Sequence, residues 1–175
     1  MLKKILLVVV FVLICLVGGF LYYQNDYYRT DPAINQLLND TCVDEQEYYF
    51  CPGTNQENIL IMPGGKVEES AYLFMAEQLQ QNGYNVYVSK SFLKLSIIDS
   101  SAAKEILNNG ESFTVIGHSL GGTVASMLYE EYSSQINNII FLGSYPYSNI
   151  KDVPTLAISA SNDLILNQTS FNEAP

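Results

Sequence analysis

Phe113-Thr114-Val115-Ile116-Gly117-His118-Ser119-Leu120-Gly121-Gly122 is the stretch that decides the fold. A short apolar run of buried-strand type leads straight into a serine bounded by glycines, and Thr123 to Tyr132 continue as an amphipathic helix. Such a strand-turn-helix pushes the Ser119 hydroxyl into the open, while Gly117 and Gly121 remove side chains that would collide in the turn. A serine hydroxyl is a poor nucleophile until a base stands beside it, and the Leu120 amide at the helix start points where an oxyanion would form. The bare pattern G-x-S-x-G is common; its setting, with Gly122 as a further small residue for close helix packing, makes it specific. The bland alternative is a glycine turn that serves packing only. A phosphate-binding loop would need a Lys-Ser/Thr ending that this segment lacks.

Upstream, Asn58 to Met62 (NILIM) reads as a buried strand that stops at Pro63-Gly64-Gly65. An acyl-transfer site needs a second backbone donor facing Leu120, and a glycine-rich loop after an earlier strand supplies it. Gly65 is the candidate, with Lys66 next in line; an ordinary turn is the alternative. Glu68 to Asn82 has the three-and-four spacing of a helix, with Ala71, Phe74, Met75 and Leu79 on its apolar face and Gly83 as its stop. Tyr84 to Val88 is a further strand and Ser100 to Asn108 a further helix.

Downstream, Asn138 to Leu142 and Thr155 to Ser159 are strands. Alternation of strands with helices predicts a three-layer α/β domain with a mainly parallel sheet and its site at the carboxyl ends of the strands. Asp163 comes after the last of these strands, the address of an orienting carboxylate in the order serine, acid, histidine. Asp152 is the rival, but it precedes the strand. The only histidine is His118, in the elbow itself, and it reads as a packed or hydrogen-bonded neighbour rather than the base. The chain therefore reads as carboxy-terminally incomplete, lacking the last strand and helix.

Residues 5 to 23 (ILLVVVFVLICLVGGFLYY) are uncharged and nearly long enough to cross about 30 Å of hydrocarbon. Lys3 and Lys4 bias the N-terminus to the cytoplasm, and Tyr22, Tyr23, Tyr27 and Tyr28 suit the opposite interface. The expected division is an anchor over 1–24, a polar stalk over 25–46 that includes Asp40, and a globular domain over 47–175 facing away from the cytoplasm. A cleaved signal peptide would have a shorter apolar core. Lipoprotein processing at Cys15 would want a small residue where Ile14 stands.

Cys42 and Cys51 flank VDEQEYYF and can pair in an oxidising compartment or remain separate thiols. One histidine and no Cys-x-x-Cys pair leave a zinc site without ligands, and no cofactor is implied. Eighteen acidic residues against eight scattered basic ones give a net charge of -10, which argues against a nucleic-acid partner. Oligomeric state is open.

Taken together, PGGKVEESAYLFMAEQLQQNGYNVYV, KSFLKLSIIDSSAA, GHSLGG, FLGSYP and SASND resemble the α/β-hydrolase superfamily, most closely its fold-5 type of dienelactone hydrolase and esterase-like proteins, over about residues 45–170. The resemblance implies Ser119 as nucleophile, Asp163 as acid, donors near Gly65 and Leu120, and a small-molecule acyl substrate. It also implies a histidine after a further strand, which this chain does not contain. Two functions stand as expectations: a membrane-anchored extracytoplasmic serine hydrolase, or a truncated or binding-only envelope protein of the same fold.

Overall fold

The computed structural model describes residues 2–36, 41–148 and 150–174; Asp40 of the expected stalk and Pro175 lie outside the described residues. Helix α1 (Leu2–Asn25) is a single span whose side chains from Ile5 to Tyr22 are exposed. Within Lys3–Asn25 the mean hydropathy reaches 3.1, with none of that stretch buried against the rest of the chain. At about 1.5 Å per residue the helix is about 35 Å long, enough to cross a bilayer core.

Seven strands form one sheet: β1 (Val43–Asp44), β2 (Tyr48–Cys51), β3 (Asn58–Met62), β4 (Asn85–Ser89), β5 (Phe113–His118), β6 (Ile136–Leu142) and β7 (Thr155–Ile158), in the order β1-β2-β4-β3-β5-β6-β7. β1 and β2 are antiparallel additions; β4, β3, β5, β6 and β7 run parallel. Parallel neighbours need crossovers, which α2 (Leu73–Gln81), α3 (Ser101–Leu107) and α4 (Leu120–Tyr132) supply after β3, β4 and β5.

Strand β3 shows why NILIM is continuously apolar: it is buried on both faces. Ile59 and Ile61 join Leu73 and Ala76 of α2 in one core, while Leu60 and Met62 join Ile106 and Leu107 of α3 and Val124 and Leu128 of α4 in the other. Helices thus cover both faces, as the three-layer expectation requires.

The helix expected over Glu68–Asn82 differs in register. Glu69–Tyr72 is a 3₁₀ turn, and α2 begins only at Leu73. A 3₁₀ turn has three residues per revolution, so it rotates the next helix relative to an unbroken α-helix. Leu73 and Ala76 are buried as a result, and Phe74, expected on the inner face, is 58% exposed.

The described residues between α1 and β2 make specific bonds. Cys42 and Cys51 are joined in a disulfide across the β1–β2 hairpin, which decides the pairing that spacing alone left open. Tyr28 pairs with Val67: its N–H donates to the Lys66 carbonyl at 2.8 Å, and its carbonyl accepts from the Glu68 N–H at 2.9 Å. At the opposite edge, β7 is exposed along its whole length, and a short helix, α5 (Gln168–Glu173), comes after it, an element that sequence patterning did not suggest.

Candidate active site

Ser119 is the residue between β5 and α4, and its backbone sits at φ 50, ψ -120, a conformation that is rare and costly for a residue with a side chain. Its surroundings hold it there. The Ser119 N–H donates to the Leu142 carbonyl at 2.9 Å, and its own carbonyl accepts from the Gly122 N–H at 3.0 Å and from Ser144 Oγ at 2.8 Å. The glycines make the turn possible by contact: a Cβ on Gly117 would lie 2.4 Å from the Gly122 Cα, and one on Gly121 only 2.2 Å from the Met62 carbonyl oxygen. The elbow is therefore wedged between the carboxyl ends of β3 and β6.

Gly65 lies opposite, where an added Cβ would come within 3.0 Å of Leu120 Cδ2. Its neighbours' amides are committed: the Gly64 N–H donates to Tyr72 Oη at 2.8 Å and the Lys66 N–H to the Lys94 carbonyl at 2.8 Å. The Lys66 N–H is thereby already occupied. The N–H groups of Gly65 and Leu120 have no acceptor among the described residues.

Asp163 lies beyond β7 and faces the same cleft. Its Oδ1 accepts from the Ile165 N–H at 2.9 Å and the Leu166 N–H at 3.0 Å, which leaves Oδ2 on the side of Gly143, 3.4 Å from where a Cβ would stand. The Leu166 and Ile165 amides, and then the nearby imidazole, hold this carboxyl below its ordinary range. Asp152, the rival, does not line the cleft; it has φ 66 in the loop before β7.

His118 is half-buried beside Ser119. Tyr72 Oη lies 2.7 Å from its Nδ1 and accepts the Gly64 N–H at 2.8 Å, so the phenol ties the elbow to the Gly64 turn. Burial lowers the His118 pKa, and the charge of Asp163 opposes that shift. The histidine is thus a hydrogen-bonded neighbour, as its position in the elbow suggested. Burial also raises the Tyr72 hydroxyl, keeping it a neutral phenol.

Ser119, Leu120, His118 and Asp163 line a cleft of about 430 Å³ that also includes Ser144 and Tyr145. Sequence patterning singled out neither Tyr72 nor Ser144. Each acts through a backbone group that only the folded chain brings near, Gly64 in one case and Ser119 in the other. Among the described residues no group of three His, Cys, Asp or Glu side chains could hold a metal ion.

A model of the Alpha/beta hydrolase family matches residues 58–175. Among solved structures, the chain is similar to YahD, described with malic acid, at 14% identity and TM-score 0.54 over 73% of this chain and 80% of that one. It is also similar to an esterase from Exiguobacterium antarcticum (16% identity, TM-score 0.45) and to a marine microorganism esterase (20%, 0.47). It covers 59% and 58% of itself in those two matches and spans only 43% of the length of each esterase. No curated protein matches.

Proposed function

The chain belongs to the alpha/beta hydrolase family, and on that premise we propose that it is a membrane-anchored serine hydrolase of carboxylic esters or related acyl compounds, with Ser119 as its nucleophile. The observation that carries the reading is the Ser119 backbone at φ 50, held between close-packed glycines with two unused N–H groups beside it. Backbone strain of this kind clusters at active sites, and a nucleophile elbow is one such place.

In the proposed reaction Ser119 Oγ attacks the acyl carbonyl and its proton passes to a base. The tetrahedral oxyanion is held by the Leu120 and Gly65 N–H groups, and collapse expels the alcohol, which takes the proton back. Water then attacks the acyl-serine by the same route and releases the acid. Gly117 and Gly121 permit the turn, and Asp163 Oδ2 orients the base. We assign the base to a histidine other than His118, which stands in the elbow next to Ser119 with its Nδ1 within hydrogen-bond distance of Tyr72.

We place the anchor at 1–24 with its N-terminus cytoplasmic, a joining segment at 25–46, and the catalytic domain at 47–175 outside. The Lys3 and Lys4 charges and the Cys42–Cys51 disulfide support this orientation. A second reading, a catalytically silent member kept for binding, draws on the single histidine and its engagement by Tyr72.

Turnover of p-nitrophenyl acetate by the natural protein in detergent tests between them. Ser119→Ala should reduce kcat/KM by about 10³-fold or more. A wild-type rate no higher than that of the variant would favour the silent reading.

A further inference from the structure

The residues that follow helix α1 pair with the loop after β3, at the edge of the sheet that carries the site. Helix α1 ends at Asn25, and Tyr28, three residues on, is already paired with Val67. Three residues span at most about 10 Å even when extended, so this edge is held about that close to where the helix leaves the bilayer. Side chains fasten the same junction. Lys66 Nζ bonds Asp26 Oδ2 and lies 4.8 Å from the centre of the Tyr23 ring, and Lys94 Nζ lies 4.8 Å from that of Tyr27. Arg29 stands over the Tyr27 ring at 4.6 Å. Basic groups interleaved with tyrosines are what a headgroup region favours.

The loops at this edge carry apolar side chains without partners. Phe92, Ile97 and Ile98 after β4 are 58%, 48% and 64% exposed, and Leu164 and Ile165 in the Asp163 loop are 99% and 86% exposed. At the amino edge, the turns at 54–57, 108–112 and 133–135 contain only polar residues and Gly110. Of the exposed apolar residues, Ile165 lines the cleft and Phe92 lies beside Tyr23 and Tyr27 at the end of α1. Exposed apolar side chains on the same edge as a membrane helix have the bilayer interface as their natural cover.

We propose that the carboxyl edge of the sheet lies on the membrane surface, with Ile98 and Leu164 dipping among the lipids, and that the site takes its acyl substrate from that interface. The substrate class is a membrane-partitioned ester amphiphile rather than a freely soluble ester. The substrate half of this inference rests on the serine-hydrolase reading; the placement half does not.

Two measurements keep those halves apart. For placement, Ile98→Cys, Leu164→Cys and Asn109→Cys, each in a Cys15→Ala background, are labelled with a bimane fluorophore and reconstituted in phosphatidylcholine vesicles containing a lipid quencher doxyl-labelled high on its acyl chain. Bimane at 98 and 164 is expected to be quenched, and bimane at 109 on the amino edge to remain bright. Equal, weak quenching at all three positions would overturn the proposal whether or not the protein is an enzyme.

For substrate, the natural protein in the same vesicles should show a kcat/KM for p-nitrophenyl laurate on the order of tenfold or more above that for p-nitrophenyl acetate, the factor that burial of about two methylenes supplies. Equal rates in a protein that still forms a Ser119 adduct with a soluble fluorophosphonate would overturn the substrate claim while leaving the nucleophile standing. Absence of both turnover and adduct would remove the nucleophile and the substrate claim with it.

Discussion

The two loops that meet in the cleft are built in opposite ways. The Ser119 elbow grows from β5, at the centre of the sheet, where Gly117 and Gly121 touch neighbouring backbone so closely that nothing can be added. The Asp163 loop grows from β7, the last strand among the described residues and exposed along its whole length, and is shaped by local bonds: its own amides turning onto the carboxylate and Gln168 Nε2 donating to the Ala160 carbonyl. One half of the site borrows its rigidity from the core; the other makes its own from an Asx-type turn. The position of Ser119 should therefore be inseparable from global stability, and that of Asp163 nearly independent of it.

The contrast is broken most directly in the two strands themselves. Phe141 of β6 is fully buried, so Phe141→Ala should cost about 3–5 kcal/mol, read by urea unfolding, through lost burial and the cavity left behind. Leu156→Ala on half-exposed β7 should move the same midpoint little, by about 0.5 kcal/mol or less. Comparable losses would mean that β7 is as well packed as the centre.

Next in size is the elbow. Gly121→Ala places a methyl against the Met62 carbonyl and should cost about 3 kcal/mol, at the upper end for overpacking. Asp163→Asn should leave the unfolding midpoint unchanged while lowering activity. A stable Gly121→Ala protein would show that the turn has room that its contacts deny.

Away from the site, the disulfide closes a short loop, with a sequence separation of 9. Replacing both cysteines, Cys42→Ser with Cys51→Ser, should cost about 2.5 kcal/mol by the loop-entropy relation, measured by thermal or denaturant unfolding. No loss would mean that the hairpin is held by β1–β2 pairing alone.

The smallest effect expected is a pH slope. His118 has its pKa depressed below the ordinary 6.5 by burial, so folding favours the neutral imidazole. Its contribution is complete above about pH 6.5 and is lost as the pH falls towards and through the folded-state value, because the unfolded chain takes up the proton first. His118→Gln should flatten stability against pH in that window; an unchanged slope would put the proton elsewhere.

The same division separates the features legible in the residues from those that were hidden. NILIM and FTVI were legible as strands because they lie in the middle of the sheet under helices on both faces, and the elbow was legible because its glycines are demanded by backbone contact. Gly65 was the candidate donor in the sequence with Lys66 next in line, and what spacing could not show is that the Lys66 N–H is taken by the Lys94 carbonyl, a partner 28 residues away in sequence. The 3₁₀ turn at Glu69–Tyr72 hid the true inner face of α2, because spacing assumes one helical period throughout. Tyr72 and Ser144 were invisible for a different reason: their roles lie in bonds to distant backbone, which leave no local pattern. The disulfide was a pair of possibilities until the hairpin brought its ends together.

If Ser119 is a nucleophile by construction, a fluorophosphonate should find it. Treating the natural protein with such a reagent and mapping the adduct by peptide mass spectrometry is the most direct test. A single phosphonylated residue is expected, Ser119, with no labelling in Ser119→Ala and much reduced labelling in Asp163→Asn. An adduct on another residue, or none at all, would contradict it.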